Sequence, residues 1–200
     1  MPALVILFCQ ALDLGTSLAE DWPPAAPDPS GWTAARVGEE RISVEAFAVY
    51  TKFDPGMRVE DDWGFGADLK IGVNWGSAAT LVARMGYAGW STENDDAKTF
   101  PGRTTISQYR TGIGGDFSTR HFEFGIYLNF GLYHFHTRHV DNDTALFYEL
   151  EATAGFKPVP FLKLGLNGMV TCVNTNFNRA STHLFTHESI GPAVEIKFDF

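Results

Sequence analysis

Three groups of side chains in this 200-residue chain have types and spacings that could do chemistry. His187 and Ser189 stand two apart, with Glu195 six further on in the same phase. In an extended strand the three share one face, the raw material of a hydroxyl nucleophile, an imidazole base and an orienting carboxylate. A second group is rich in histidine: His134, His136, His139 and His183, with Asp141 and Asp143 close by. Imidazole and carboxylate donors of this kind suit zinc or copper. Their spacing matches no defined metal motif, and polar residues of these types are equally at home in exposed loops. In the third group, Glu149 and Glu151 put two carboxylates on one face of a strand, a pairing that general acid–base catalysis uses.

What these groups can do depends on the elements that carry them, and the clearest element runs from His121 to His134. Phe122, Phe124, Ile126, Leu128, Phe130 and Leu132 fall on one face; His121, Glu123, Gly125, Tyr127, Asn129, Gly131 and Tyr133 fall on the other. A helix would scatter both sets, whereas a strand has a period of two. Strands of soluble sheets usually run ~5–6 residues, but a strand tilted across a bilayer needs ~9–11. An apolar face this long implies contact with lipid, and the polar face then lines the lumen of a closed barrel.

The same alternation recurs along the chain. Ile42–Tyr50, Trp63–Trp75, Ala79–Trp90, Thr104–Phe117, Leu146–Phe156, Leu162–Cys172 and Ile190–Phe200 bring the count of strands to eight. Trp63 and Trp75 bracket the apolar face of their strand, where rings would meet the two membrane interfaces. Connections alternate between long segments (Asp54–Asp62, Ser91–Arg103, Phe135–Thr144, Asn174–His183) and short turns. The expected fold is all-β: an eight-stranded antiparallel up-and-down transmembrane β-barrel, with long loops outside and both ends on the short-turn side.

The inward phase collects Glu45, Asp68, Lys70, Arg84, Arg110, Asp116, Glu123, Glu149, Glu151, Lys163, Glu195 and Lys197. An eight-stranded barrel is just wide enough for side chains to fill, so these charges are expected to pair into a plug. A filled lumen admits no substrate to Glu149 and Glu151, and the expectation is a non-enzymatic protein without a cofactor. A narrow pore is the alternative if the filling is incomplete.

A net charge of -9 argues against nucleic acid as a partner. Residues 1–19 contain the apolar run Ala3–Phe8 and small residues at Ser17 and Ala19, so a cleaved signal peptide is expected there. Residues 20–40 hold Trp22-Pro23-Pro24-Ala25-Ala26-Pro27-Asp28-Pro29, which cannot sit inside a sheet and reads as a periplasmic segment ahead of the barrel at 41–200. Once residues 1–19 are removed, Cys172 is the only cysteine left, which precludes an intramolecular disulfide.

The final stretch, Ser189 to Phe200, resembles the C-terminal signal by which barrel-assembly machinery recognises outer-membrane proteins: Gly191, then Val194, Ile196, Phe198 and Phe200 in phase. The whole pattern is similar to the small eight-stranded barrels of the OmpA/OmpX type. That resemblance implies a monomer in the outer membrane of a Gram-negative-type bacterium, embedded in lipid and lipopolysaccharide, with a structural or surface-interaction role. His187, Ser189 and Glu195 also resemble the His-x-Ser and Glu of outer-membrane lipid A deacylases, which implies a lipid A-modifying enzyme as a further alternative. Where that family has Asn-Ala-Gly after its serine, this chain has Ile190-Gly191-Pro192, and the alternation turns all three residues away from lipid. Because Phe200 continues the apolar face and Asp199 does not, deleting Phe200 is expected to lower outer-membrane assembly far more than Asp199→Ala does. Equal amounts of the two variants in the membrane fraction would refute that assignment.

Overall fold

The computed structural model describes residues 40–57, 59–75, 78–93, 102–137, 140–178 and 181–199. The expected signal peptide, nearly all of the proline-rich segment, His139 and Phe200 lie outside the described residues. Alternating sequences that must satisfy every backbone group without water give β1 (Glu40–Lys52), β2 (Asp62–Asn74), β3 (Ala79–Glu93), β4 (Arg103–Ser118), β5 (Phe122–Thr137), β6 (Val140–Val159), β7 (Leu162–Asn178) and β8 (Ser181–Asp199). Each strand pairs antiparallel with its neighbours in sequence, and β8 returns to β1, so the sheet is a closed eight-stranded barrel.

The closing seam runs from Arg41 opposite Asp199 to Lys52 opposite Glu188. Its ladder lapses at Ala48 and Val49, which face Pro192 and Gly191. Proline has no amide hydrogen to give. A Cβ on Gly191 would lie 1.9 Å from the Ala48 carbonyl oxygen, so β1 and β8 approach this closely only because residue 191 has no side chain.

The phase follows the sequence. Phe65, Leu69, Ile71, Met85, Phe124, Ile126, Leu128, Leu150, Leu166, Val194 and Ile196 are all exposed on the outer wall, Phe65 to 66% and Leu128 to 61%. In water so continuous an apolar surface would drive aggregation; in a bilayer it is solvated. Rings mark two levels. Tyr50 packs edge-on against Trp63 at one end of the belt, with centroids 5.8 Å apart, and Trp75 stands exposed near the other end.

Two of the expected long loops are corrected. Phe135–Thr144 is mostly strand, because β5 continues to Thr137 and β6 begins at Val140; Asn174–His183 likewise divides between β7, ending at Asn178, and β8, beginning at Ser181. The hairpins extend past the belt with irregular register between Phe135 and Thr137 and between Thr175 and Asn178. A strand that leaves the bilayer no longer needs an apolar outer face, so the apolar alternation fades while backbone pairing continues. Similarly, the stretch Lys157–Pro160, whose two prolines suggest the short turn between the sixth and seventh strands, lies largely inside β6, which reaches Val159 through a register shift beginning at Phe156.

Depth gives a test. Leu128 sits in the middle of β5, while Leu184, 67% exposed, lies six residues beyond Ile190, the partner of Tyr50 at the aromatic rim. Leu128→Arg is expected to cost ~2–4 kcal/mol of unfolding free energy, and Leu184→Arg ~0–1 kcal/mol. Denaturant titrations of the two variants in lipid vesicles measure the difference.

Candidate functional site

The inward phase builds a lumen in three layers. Nearest the short-turn end, Lys70 from β2, Lys163 from β7 and Lys197 from β8 meet Glu45, Glu123 and Glu195. Lys70 Nζ donates to Glu45 Oε2 at 2.8 Å and to Glu195 Oε2 at 3.1 Å. Lys163 lies 2.6 Å from Glu195, and Lys197 donates to Glu123. Ser43 donates to Glu195 at 2.7 Å, and Asn167 to Glu45 at 2.8 Å. The Tyr127 hydroxyl donates to Asp116.

The middle layer is built on arginine. Arg110 Nε donates to Asp68 at 2.9 Å, and its Nη1 reaches Glu149 at 3.0 Å and Glu151 at 3.2 Å. Arg84 pairs with Asp68 and lies 2.8 Å from Glu151. Gln108 and Thr171 each donate to Glu149 at 2.9 Å, while Asn129 donates to both glutamates. Arg110 also lies over the Phe47 ring, 4.5 Å from its centroid. Burying an ion costs several kcal/mol after relaxation, and only several partners at once offset that. All twelve charged residues that the alternation turned inward are buried, none more than 4% exposed.

The outer layer is apolar. Phe47, Val49, Trp90, Ile106, Tyr133, Phe135, Phe147 and Val173 form one buried cluster with Phe53, Met57 and Val59 from the β1–β2 connection. Trp90 stacks on Tyr133 with centroids 6.1 Å apart, and Phe147 meets Tyr133 edge-on at 5.1 Å. Sequence reasoning put charges in the lumen and missed this layer. The signal was available, since Phe47, Val49 and Phe147 fall in the inward phase near the outer strand ends.

His187, Ser189 and Glu195 all face inward and are buried, as the alternation predicts, but they do not converge. His187 Nε2 is 2.8 Å from the Tyr133 hydroxyl, and Ser189 Oγ is 2.8 Å from Thr51 Oγ1. Glu195 belongs to the lysine layer, six residues down β8, which at ~3.3 Å per residue is ~20 Å from Ser189. These three residues do not line up as hydroxyl, imidazole and carboxylate, and each is buried on the lumen side of the wall. Glu149 and Glu151 are both held by Arg110 and Asn129.

Of the histidines on the outer strand ends, His134 and His136 have described side chains. His134, half-buried, bonds the Thr144 hydroxyl at 3.2 Å, and His136 is exposed two residues on. Register sets Asp143 opposite Phe135, while His183 sits opposite Thr175 on the other hairpin, with Asp141 near the start of β6. Among the described residues, the one group of three potential ligands within reach of a common metal ion is Asp116, Glu123 and Glu195. There the Lys163 and Lys197 ammoniums already hold the two glutamates and take the place of a metal cation.

No protein-family model matches the chain, and no curated protein does either. Solved structures do. Neisserial surface protein A is 13% identical with a TM-score of 0.50, over 80% of this chain and 97% of that one. The attachment invasion locus protein Ail of Yersinia pestis is 13% identical with a TM-score of 0.54, over 81% of this chain and 99% of that one. Ail in complex with the heparin analogue sucrose octasulfate is 14% identical with a TM-score of 0.50, over 81% and 99%. At such identities the likeness is one of fold, and the fold is that of the small eight-stranded outer-membrane barrel.

Arg110 joins three carboxylates, so its removal leaves the middle layer with uncompensated charge. Arg110→Met is expected to cost ~3–5 kcal/mol, the penalty of breaking a buried ion network by removing one partner. Urea unfolding of the detergent-folded variant checks it.

Proposed function

We propose that the protein is an integral outer-membrane barrel that acts through its outer rim, as a structural or surface-interaction protein, and not through its lumen. The observation that carries this reading is the filled interior: lysine layer, arginine layer and aromatic layer follow one another from end to end of the barrel. A plug of this kind leaves the outward hairpins and the uncovered residues of the β1–β2 connection, half-buried Asp54 and exposed Glu60 among them, as surfaces open to a partner. The surrounding partners are outer-membrane lipid and lipopolysaccharide, and the barrel-assembly machinery inserts the chain as a monomer.

Charge narrows the class of contact. Among the described residues, Asp54, Glu60, Asp61, Asp62, Glu93 and Glu188 stand around the outer mouth, against Lys52 and Arg103. An acidic rim favours a basic or neutral protein surface and opposes a polyanion, so the sulfated ligand seen on Ail is not expected here.

Three measurements test the reading. In planar bilayers the purified protein is expected to give no conductance steps; steady channels would replace this proposal with the pore. Intact cells displaying the wild type should retain a surface partner that cells displaying Asp54→Asn, Glu60→Gln and Glu93→Gln together lose, with assembly unchanged. A lipid A profile altered by expression of the protein would favour an enzyme instead.

A further inference from the structure

Within the apolar belt, side-chain size varies along the lipid-facing wall even though polarity does not. Straight across the strands, the inward row Asp68, Gly86, Arg110 and Gly131 lies between two outward rows: Leu69, Met85, Thr111 and Phe130 on one side, Ala67, Tyr87, Tyr109 and Leu132 on the other. The outward rows are the banks of a trough of about 720 Å³ on the outer wall, and the backbone of the inward row is its floor. Thr111 and Ala67 are the smallest residues of their banks, which widens the trough there.

Register sets its slope. The row that leaves β1 at Ile42 crosses Ile113 on β4 and Val170 on β7 and comes back to β1 at Lys52, nearer the outer mouth than where it began. Rows therefore climb outward from β1 to β8, and the trough rises from β2 to β5. At ~4.8 Å between strands it is ~14 Å long, close to the ~15 Å that one leaflet contributes to a ~30 Å hydrocarbon core.

Above its upper end the outer face turns polar. The next row holds Gly89, Ser107 and His134, and the one beyond it Ser91, Thr105 and His136. The climb of the rows brings Ser107 and His134 to about the level of Trp63 at the aromatic rim. Tyr87 lies over Gly89, where a Cβ would come within 2.9 Å of the Tyr87 hydroxyl, and that hydroxyl is 3.2 Å from Ser107 Oγ. Further out, Glu93 and Arg103 stand opposite each other, both exposed, with Arg103 Nη2 donating to the Ser91 carbonyl at 2.8 Å. Among the described residues of β3 to β5 beyond the trough, Glu93 is the one carboxylate and Arg103 the one arginine or lysine.

We propose that the trough and the polar ledge above it hold one phospholipid whose head carries both a phosphate and an ammonium. Its acyl chain lies along the trough, because empty space there would forfeit dispersion contacts along both banks. Arg103 meets the phosphate and Glu93 the ammonium, while Ser107 and Thr105 offer hydroxyls to the ester groups between head and chain. A head with phosphates alone would set like charge against Glu93, which disfavours phosphatidylglycerol and lipid A. The site is on the lipid-facing wall, apart from the rim contacts proposed above, and stands whether or not those find a protein partner.

Native mass spectrometry of the detergent-folded protein, offered equal amounts of phosphatidylethanolamine, phosphatidylglycerol and lipid A, reads which lipid stays bound. Heat-modifiable mobility confirms that each variant is folded. The wild type is expected to retain one phosphatidylethanolamine, about fivefold over phosphatidylglycerol, the scale of one exposed ion pair. Glu93→Gln is expected to remove that preference, and Arg103→Ala to lower retention of both phospholipids about fivefold. Thr111→Phe fills the trough without touching either charge, so it is expected to lower retention of both phospholipids and leave their ratio unchanged. Equal retention of the two phospholipids by the wild type, a preference for lipid A, a ratio unmoved by Glu93→Gln, or a Thr111→Phe variant that binds as the wild type does would each overturn the site and leave an ordinary lipid-covered wall.

Discussion

In hydrocarbon a backbone amide has no water to turn to, so the hydrogen-bonded ladder has to run all the way round, and everything else in this protein is arranged about that closure. The seam between β1 and β8 meets the condition over most of its length. Where it lapses, Pro192 has no donor to lose and Gly191 lets the strands press together. Once eight strands are committed to closing, the width of the lumen is set, and it is a width that side chains fill.

Filling decides the rest. Each inward position on a closed wall must find partners across a narrow interior, so the lysines and arginines distribute themselves over six carboxylates instead of forming isolated pairs. Towards the outer mouth the partners become rings, and the β1–β2 connection completes the cluster with three of its own side chains. Polarity therefore changes along the barrel axis while staying constant on the outer wall. A uniform lipid surface and a layered interior can coexist because neighbouring residues on a strand never share a face.

The same constraint shapes the proposed function. Inside the lumen Glu149 and Glu151 are tied to Arg110 and Asn129, His187 to Tyr133 and Ser189 to Thr51, so these side chains are engaged with one another. The surfaces with freedom to vary are those beyond the aromatic rim, where hairpins continue in water and the requirement for an apolar face ends. There the described residues carry a surplus of acidic side chains.

How much of this was legible in the sequence follows from which forces have a period. Lipid demands an apolar residue at every second position, so the strands, their phase, the closed antiparallel fold and the inward set from Glu45 to Lys197 could all be read before any coordinate was known. The demand stops at the membrane surface, which is why β5 to β8 were cut short at Phe135, Thr144, Asn174 and His183. The shared phase of His187, Ser189 and Glu195 was correctly read, but phase says nothing of distance along a strand or of partners across the lumen. Only the closed ring decided that His187 meets Tyr133, that Ser189 meets Thr51 and that Glu195 meets lysines. The aromatic layer and its loop were settled in the same way, because packing among rings from several strands depends on how those strands are staggered around the barrel, and no single strand carries that information.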